Sequence, residues 1–192
     1  MNSDRIAADR AFLGFLESLL KRDDRATLAA LRRSLGRNPA AAKYAYPYVM
    51  PRVSPNLPAR ERDRDERIYL LVAGLFAFHQ ISWPRNDSEK AYTNLGASME
   101  KLAIATERKS VERRMSALLA CSFDDLHEHL RHAISLLKSK QVPVDWARLI
   151  DDLRWWNTDD RRVQREWARA FWASTPEGSE ETDPAEQTGE EN

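Results

Sequence analysis

The chain has 192 residues, with 30 Lys and Arg against 30 Asp and Glu, so its formal charge cancels. The cancellation is uneven, because residues 175–192 hold seven acids and no base and leave a body of 30 bases against 23 acids. A hydrophobic content of 42% excludes a wholly disordered chain, the single Cys121 excludes a disulfide framework and a multi-cysteine zinc site, and the longest apolar run, the 11 residues Ile68–Phe78, is too short to span a bilayer.

Apolar residues recur at the 3.6 spacing of helices, and six Gly with few β-branched runs argue the same way, so an all-α fold is expected. The opening residues are charged and lack the apolar core of a secretory signal, which predicts a soluble, cytoplasmic protein. Phe12, Phe15, Leu16, Leu19 and Leu20 mark one stripe of a first helix over residues 4–22. Asp24 is placed to cap a second helix carrying Leu28, Leu31 and Leu35, with Gly36 as its stop. Residues 38–58 contain five of the nine prolines and read as turns with one short helical piece, packed through Tyr44, Tyr46 and Tyr48. A charged lead, Arg60–Arg67, runs into an apolar helix ending near Ile81. Residues 82–94 are polar and predict a linker between two small helical domains, 1–81 and 95–174. In the second, helices are expected over about 95–107, over 111–120 capped by Ser110, after Ser122 with Asp125 three residues on, from Asp145 to about Trp156, and from Thr158 to about Ala173. Five helices with short connections predict a helical bundle. Residues 175–192 combine Pro, Gly, Ser, Thr and acids and predict a disordered acidic tail.

Catalytic signals are weak. His127, Glu128, His129 and His132 fall on one predicted helix, but a zinc-protease helix needs His at i and i+4, and Arg131 stands four after His127. At about 100° per residue His127 and His129 point roughly 200° apart, so only His129 and His132 can converge. The glycines are isolated and form no phosphate-binding loop. Cys121 ends an apolar helix and reads as a small core residue. The adjacent acids Asp124/Asp125, Asp151/Asp152 and Asp159/Asp160 diverge around a helix and make poor acid–base pairs. No enzyme, cofactor or metal is expected.

The basic residues carry more information. Lys21, Arg22, Arg25, Arg32, Arg33 and Arg37 cluster on the first two helices, Arg108, Lys109, Arg113 and Arg114 on a later one, and Arg131 with Lys138 on the next. Arg161, Arg162, Arg165 and Arg169 follow on the last. Arg outnumbers Lys, and the guanidinium fork suits bidentate phosphate contact. Arg60–Arg67 alternate with Glu61, Asp63, Asp65 and Glu66 and read as a self-compensating solvated face. No acid occurs from Arg25 to Arg60, so Arg32, Arg33 and Arg37 lack such neighbours. Trp146, Trp155, Trp156, Trp167 and Phe171 are spaced for burial between helices; Trp155 and Trp156 are adjacent, so one is expected inside and the other at an interface. On the residues alone, nucleic-acid binding and a purely protein-binding adaptor both stay open.

A wider pattern joins these pieces. ATLAALRRSLGR at 26–37, YPYVMP at 46–51, SVERRMSALLAC at 110–121, LRHAISLLKSKQVPVDWARLIDDLRWWN at 130–157 and RRVQREWARAFW at 161–172 together resemble the CasB family, the small subunit of the type I-E CRISPR surveillance complex called Cascade. The resemblance covers roughly residues 10–174 and leaves out the acidic tail. It implies two small helical domains and no enzymatic activity. It implies, as partners, the backbone and large subunits, the guide RNA–target DNA heteroduplex and the displaced strand, with two copies of the small subunit in each complex. Its basic surface would hold the DNA strands of the opened R-loop, where a nearly balanced strand exchange is tipped by backbone contacts. The family's functional arginines map onto Arg32 and Arg33 of LRRSLGR, Arg113 and Arg114 of VERR, and Arg131 of LRHAI; Arg37 and Lys138 are added for their proximity in sequence. Arg165 reads equally as a groove contact or as a helix-face salt bridge.

Overall fold

The computed structural model describes residues 3–35, 39–83 and 93–173. The expected stop at Gly36, the candidate Arg37, most of the expected linker and the acidic tail lie outside them. Every regular element among the described residues is helical. In chain order these are α1 (Ser3–Lys21), α2 (Arg25–Arg33), α3 (Tyr46–Val49), α4 (Ala59–Phe78), α5 (Leu95–Ile104), α6 (Arg108–Ala120), α7 (Leu126–Ser139), α8 (Trp146–Arg154) and α9 (Arg162–Trp172). Two 3₁₀ turns, Pro39–Tyr44 and Met50–Arg52, flank α3.

Local chemistry sets several boundaries. Asp23, at φ 52°, turns the chain between α1 and α2, and the Asp24 carboxylate then accepts the Thr27 N–H at 3.0 Å as the α2 cap. Asp145 caps α8 in the same way through the Arg148 N–H at 2.9 Å, and Asn94 caps α5 through the Ala97 N–H at 3.1 Å. The charged lead and the apolar run are one 20-residue helix, α4, which ends at Phe78 rather than near Ile81. Beyond it, Trp83 N–H donates to the Val144 carbonyl and Val144 N–H to that of Ile81, a single parallel bridge that ties the chain leaving α4 to the approach to α8.

Three starts differ from expectation. α6 begins at Arg108, so Ser110 lies within its first turn and its hydroxyl meets Arg114 instead of capping. The Ser122 hydroxyl does donate to the Asp125 carboxylate at 2.8 Å and accept the Asp125 backbone N–H at 3.4 Å, but across a turn that precedes α7. α9 starts at Arg162, not after Thr158: Arg161 adopts a left-handed φ of 48°, and the Asp160 carboxylate accepts the Arg162 N–H at 3.2 Å.

α4 lies at the centre. Ile68, Tyr69, Val72, Leu75 and Phe76 are buried, with α2 and α3 packed against the helix on one side and α7 and α8 on others. Its charged half is not merely solvated. Asp65 is buried and receives Arg154 of α8 at 2.9 Å and Arg5 of α1 at 3.2 Å. Arg154 also holds Asp9, which accepts the Tyr69 hydroxyl at 2.7 Å. Burial opposes the Arg154 charge, but the hydrogen bonds and fields of Asp9 and Asp65 outweigh it and raise its pKa; burial, with Asp9, raises that of Tyr69. Farther along, Trp156 and Trp167 pack with centroids 4.9 Å apart, so one of the adjacent pair is inside as expected, while Trp155 is exposed.

Candidate nucleic-acid interface

Six of the seven expected cations lie in described residues: Arg32, Arg33, Arg113, Arg114, Arg131 and Lys138, all exposed. Arg32 and Arg33 end α2, where cations complement the negative end of the helix. Arg131, Ser135 and Lys138 fall at i, i+4 and i+7 and share one stripe of α7, because Leu130, Ala133, Ile134 and Leu137 turn inward. Arg113 and Arg114 stand on α6, whose Val111, Met115 and Leu118 are buried.

Two grooves run along α7. In the first, Ser34 and Leu35, just past α2, face Leu71 and Phe78 of α4 and Arg131, His132 and Ser135 of α7. Lys138 lies beside this wall, its ammonium 4.2 Å from the Phe78 ring centroid. The second groove lies between α6 and α7 and is lined by Arg114, His129, His132, Ser135 and Leu136. His132 and Ser135 belong to both grooves, so the two adjoin along α7, between the end of α2 and α6. Of the six cations, Arg131 lines the first groove, together with Glu128, and Arg114 lines the second; Arg32, Arg33, Arg113 and Lys138 line neither.

Lack of a carboxylate partner is common to this set but not peculiar to it, since the exposed Arg22, Arg60, Arg162 and Arg169 hold none within salt-bridge distance either. Among the described residues Arg5, Arg25, Arg67, Arg108, Arg148, Arg154 and Arg165 each hold a carboxylate within salt-bridge distance. None of the six expected cations does so; Arg114 and Arg32 bond only to Ser110 and to the Leu28 carbonyl. Arg165 sits 3.8 Å from Asp160 and so takes the salt-bridge reading. An unpaired guanidinium keeps its donors available for a phosphate.

The remaining candidates have local roles. A His127 ring nitrogen bonds the Asp124 carbonyl oxygen at 2.9 Å, and His129 and His132 line the second groove. Among the described residues no group of three or more His, Cys, Asp or Glu is placed to hold a metal ion. The Cys121 thiol is half-buried, donates to the Leu118 carbonyl at 3.1 Å and has its pKa pushed up by burial, the opposite of an activated nucleophile. Sequence reasoning missed the position of Tyr44 and Tyr46. They were expected to pack, but only Tyr48 is half-buried against the core, whereas Tyr44 and Tyr46 are exposed. The neighbouring Lys43 and Arg33 were the available signal. No helix among the described residues is long and apolar enough to cross a membrane.

Fold and surface together define a small all-helical protein that turns an unpaired basic track outward. The chain belongs to the CRISPR-associated protein Cse2 family, whose model matches residues 27–172. It is 37% identical over 150 residues to a CRISPR-associated protein Cse2 of Thermus thermophilus, covering 78% of this chain and 80% of that protein. It is also similar to the crystal structure of CasB from M. ruber, at 29% identity and a TM-score of 0.70, covering 86% of this chain and 93% of that one. A chain in a pre-nicking CRISPR RNA-guided surveillance complex matches at 28% identity and a TM-score of 0.70, covering 88% of this chain and 93% of that one.

Proposed function

We propose that this chain is a non-catalytic small subunit of a type I-E CRISPR surveillance complex, in which its basic track holds phosphates of the target and displaced DNA strands and stabilises the R-loop. The observation that supports this reading is the exposure of Arg32, Arg33, Arg113, Arg114, Arg131 and Lys138 without a carboxylate in salt-bridge distance, with Arg131 and Arg114 lining adjoining grooves along α7. Backbone contacts need charge and position without base reading, which suits exposed Arg and Lys beside open grooves better than a closed pocket. Its partners in this reading are the backbone and large subunits, the guide RNA–target heteroduplex, the displaced strand and a second copy of the chain.

The test is charge reversal at Arg32, Arg33, Arg113 and Arg114 in the assembled complex. Loss of R-loop stability with intact assembly is the expected result. Loss of assembly would instead support an adaptor acting only through protein contacts, a reading favoured by the exposed Ile104 and Trp172.

A further inference from the structure

The 3₁₀ turn Pro39–Tyr44 leads from the α2 end of the track into α3. Ala42 of this turn lines the first groove together with Arg131. Two residues on, Tyr44 is 43% exposed and Tyr46 is 45% exposed, on either side of the fully buried Ala45. The backbone beneath the rings is held: Ala45 N–H donates to the Ala42 carbonyl at 2.9 Å, Val49 is buried, and Pro47 fixes the start of α3. Two large rings are therefore presented to water from a rigid support.

Tyr44 is also flanked by cations. The Arg33 guanidinium lies 5.9 Å and the Lys43 ammonium 5.5 Å from its ring centroid. Other such contacts range from 3.3 Å for Arg52 on Phe15 and 3.7 Å for Lys101 on Trp83 to 5.5 Å for Arg108 on Phe171. The Tyr44 cations are too distant to cover the ring closely. They bracket an open aromatic surface with two positive charges, which is the chemistry of a single-stranded nucleic-acid site: a ring for the base and cations for the adjoining phosphates.

We infer that Tyr44 is a base-stacking residue, whose ring takes one face of an unpaired base while Arg33 and Lys43 hold the flanking phosphates. The inference rests on the proposed phosphate track and adds to it a contact with a base. Because every base has a stacking face, the site discriminates an unpaired strand from a duplex and not one sequence from another.

The experiment compares two labelled probes with the full-length protein, an oligo(dT) strand and a strand of equal length in which abasic sugars replace the bases, so the phosphates are the same. Wild type is expected to bind the base-bearing strand roughly 5- to 100-fold more tightly. Tyr44→Ala should remove most of that ratio while leaving abasic-strand binding and the salt dependence unchanged, and Tyr44→Phe should keep it. The inference is overturned if wild type binds both strands equally, if Tyr44→Ala keeps the full ratio, or if it weakens both strands alike. In the first of these cases, salt-dependent binding of both strands would leave the phosphate track standing. Failure to bind either strand at low salt would remove the track, and the stacking residue with it.

Discussion

Gly96 of α5 lies directly against the backbone of Trp167 in α9: a β-carbon added to Gly96 would stand 2.1 Å from the Trp167 carbonyl oxygen. The two helices meet at a separation that only hydrogen at this position permits. Gly14 on α1 is the opposite case, with nothing within 4 Å of an added β-carbon. Gly96→Ala is expected to destabilise the protein by about 3 kcal/mol or more, since rigid backbone must move, while Gly14→Ala should stabilise it by about 0.5 to 1 kcal/mol. Urea unfolding of the two variants checks both signs.

Arg154→Ala would leave the side chains of Asp65 and Asp9, 3% and 17% exposed, without their shared cation. The expected loss is about 3 to 5 kcal/mol, because an uncompensated buried charge costs more than the pair contributes. In a double-mutant cycle, adding Asp9→Asn should cost less in the Arg154→Ala background than alone.

Asp152 gives a pH dependence. Burial pushes its carboxyl up to about 6, although the Trp167 N–H at 2.6 Å and Arg148 at 2.7 Å favour the charged form. A free Asp titrates at 3.8, so the folded state binds this proton more tightly than the unfolded state. The stabilisation is full below pH 3.8 and is lost as pH rises through about 6. Relative to Asp152→Asn, wild type should therefore lose about 2 to 3 kcal/mol of stability between pH 4 and 7, read from denaturation at each pH.

The phosphate track implies salt-dependent binding. If about four to six phosphates are neutralised, log affinity for nucleic acid should fall against log salt with a slope of roughly −3 to −5. Arg131→Glu should make the slope shallower by about 1. A slope near zero in titrations from low to moderate salt would refute the electrostatic mechanism.

Deleting residues 175–192 removes seven acids and no base. If those acids compete with phosphates for the basic track, the shortened protein should bind non-specific DNA more tightly at low salt. Unchanged binding would show that they serve only to raise solubility.

Where one residue decides its own surroundings, the sequence was enough. Asp24 and Asp145 cap the helices they precede, and of the neighbours Trp155 and Trp156 one is exposed and one buried. The α9 start was misread because Thr158 looked like a cap, while the left-handed turn at Arg161 passed that role to Asp160. The Asp9–Arg154 contact spans 145 residues, and nothing local announces it. Charged residues default to the surface in any reading of pattern, so Asp65 looked like one of several solvated acids. For the track, the absence of acids around Arg32 and Arg33 was readable, but the groove walls come from α4 and α7 and depend on tertiary packing. The aromatic residues between the prolines signalled packing, and only the fold separates the half-buried Tyr48 from the exposed Tyr44 and Tyr46.

The carboxylates of Asp9 and Asp65 are made early in synthesis, and the cation that binds them both, Arg154, is made late. Until α8 leaves the ribosome, Asp65 has Arg5 of α1 as its cation but Asp9 has only the Tyr69 hydroxyl, so α1 and α4 meet with one carboxylate uncompensated. The charge balance between α1 and α4 is therefore completed only by the second half of the chain. Closure by a contact this distant in sequence is slow to form, and the apolar end of α4, buried in the finished fold, is the surface that needs protection in the meantime.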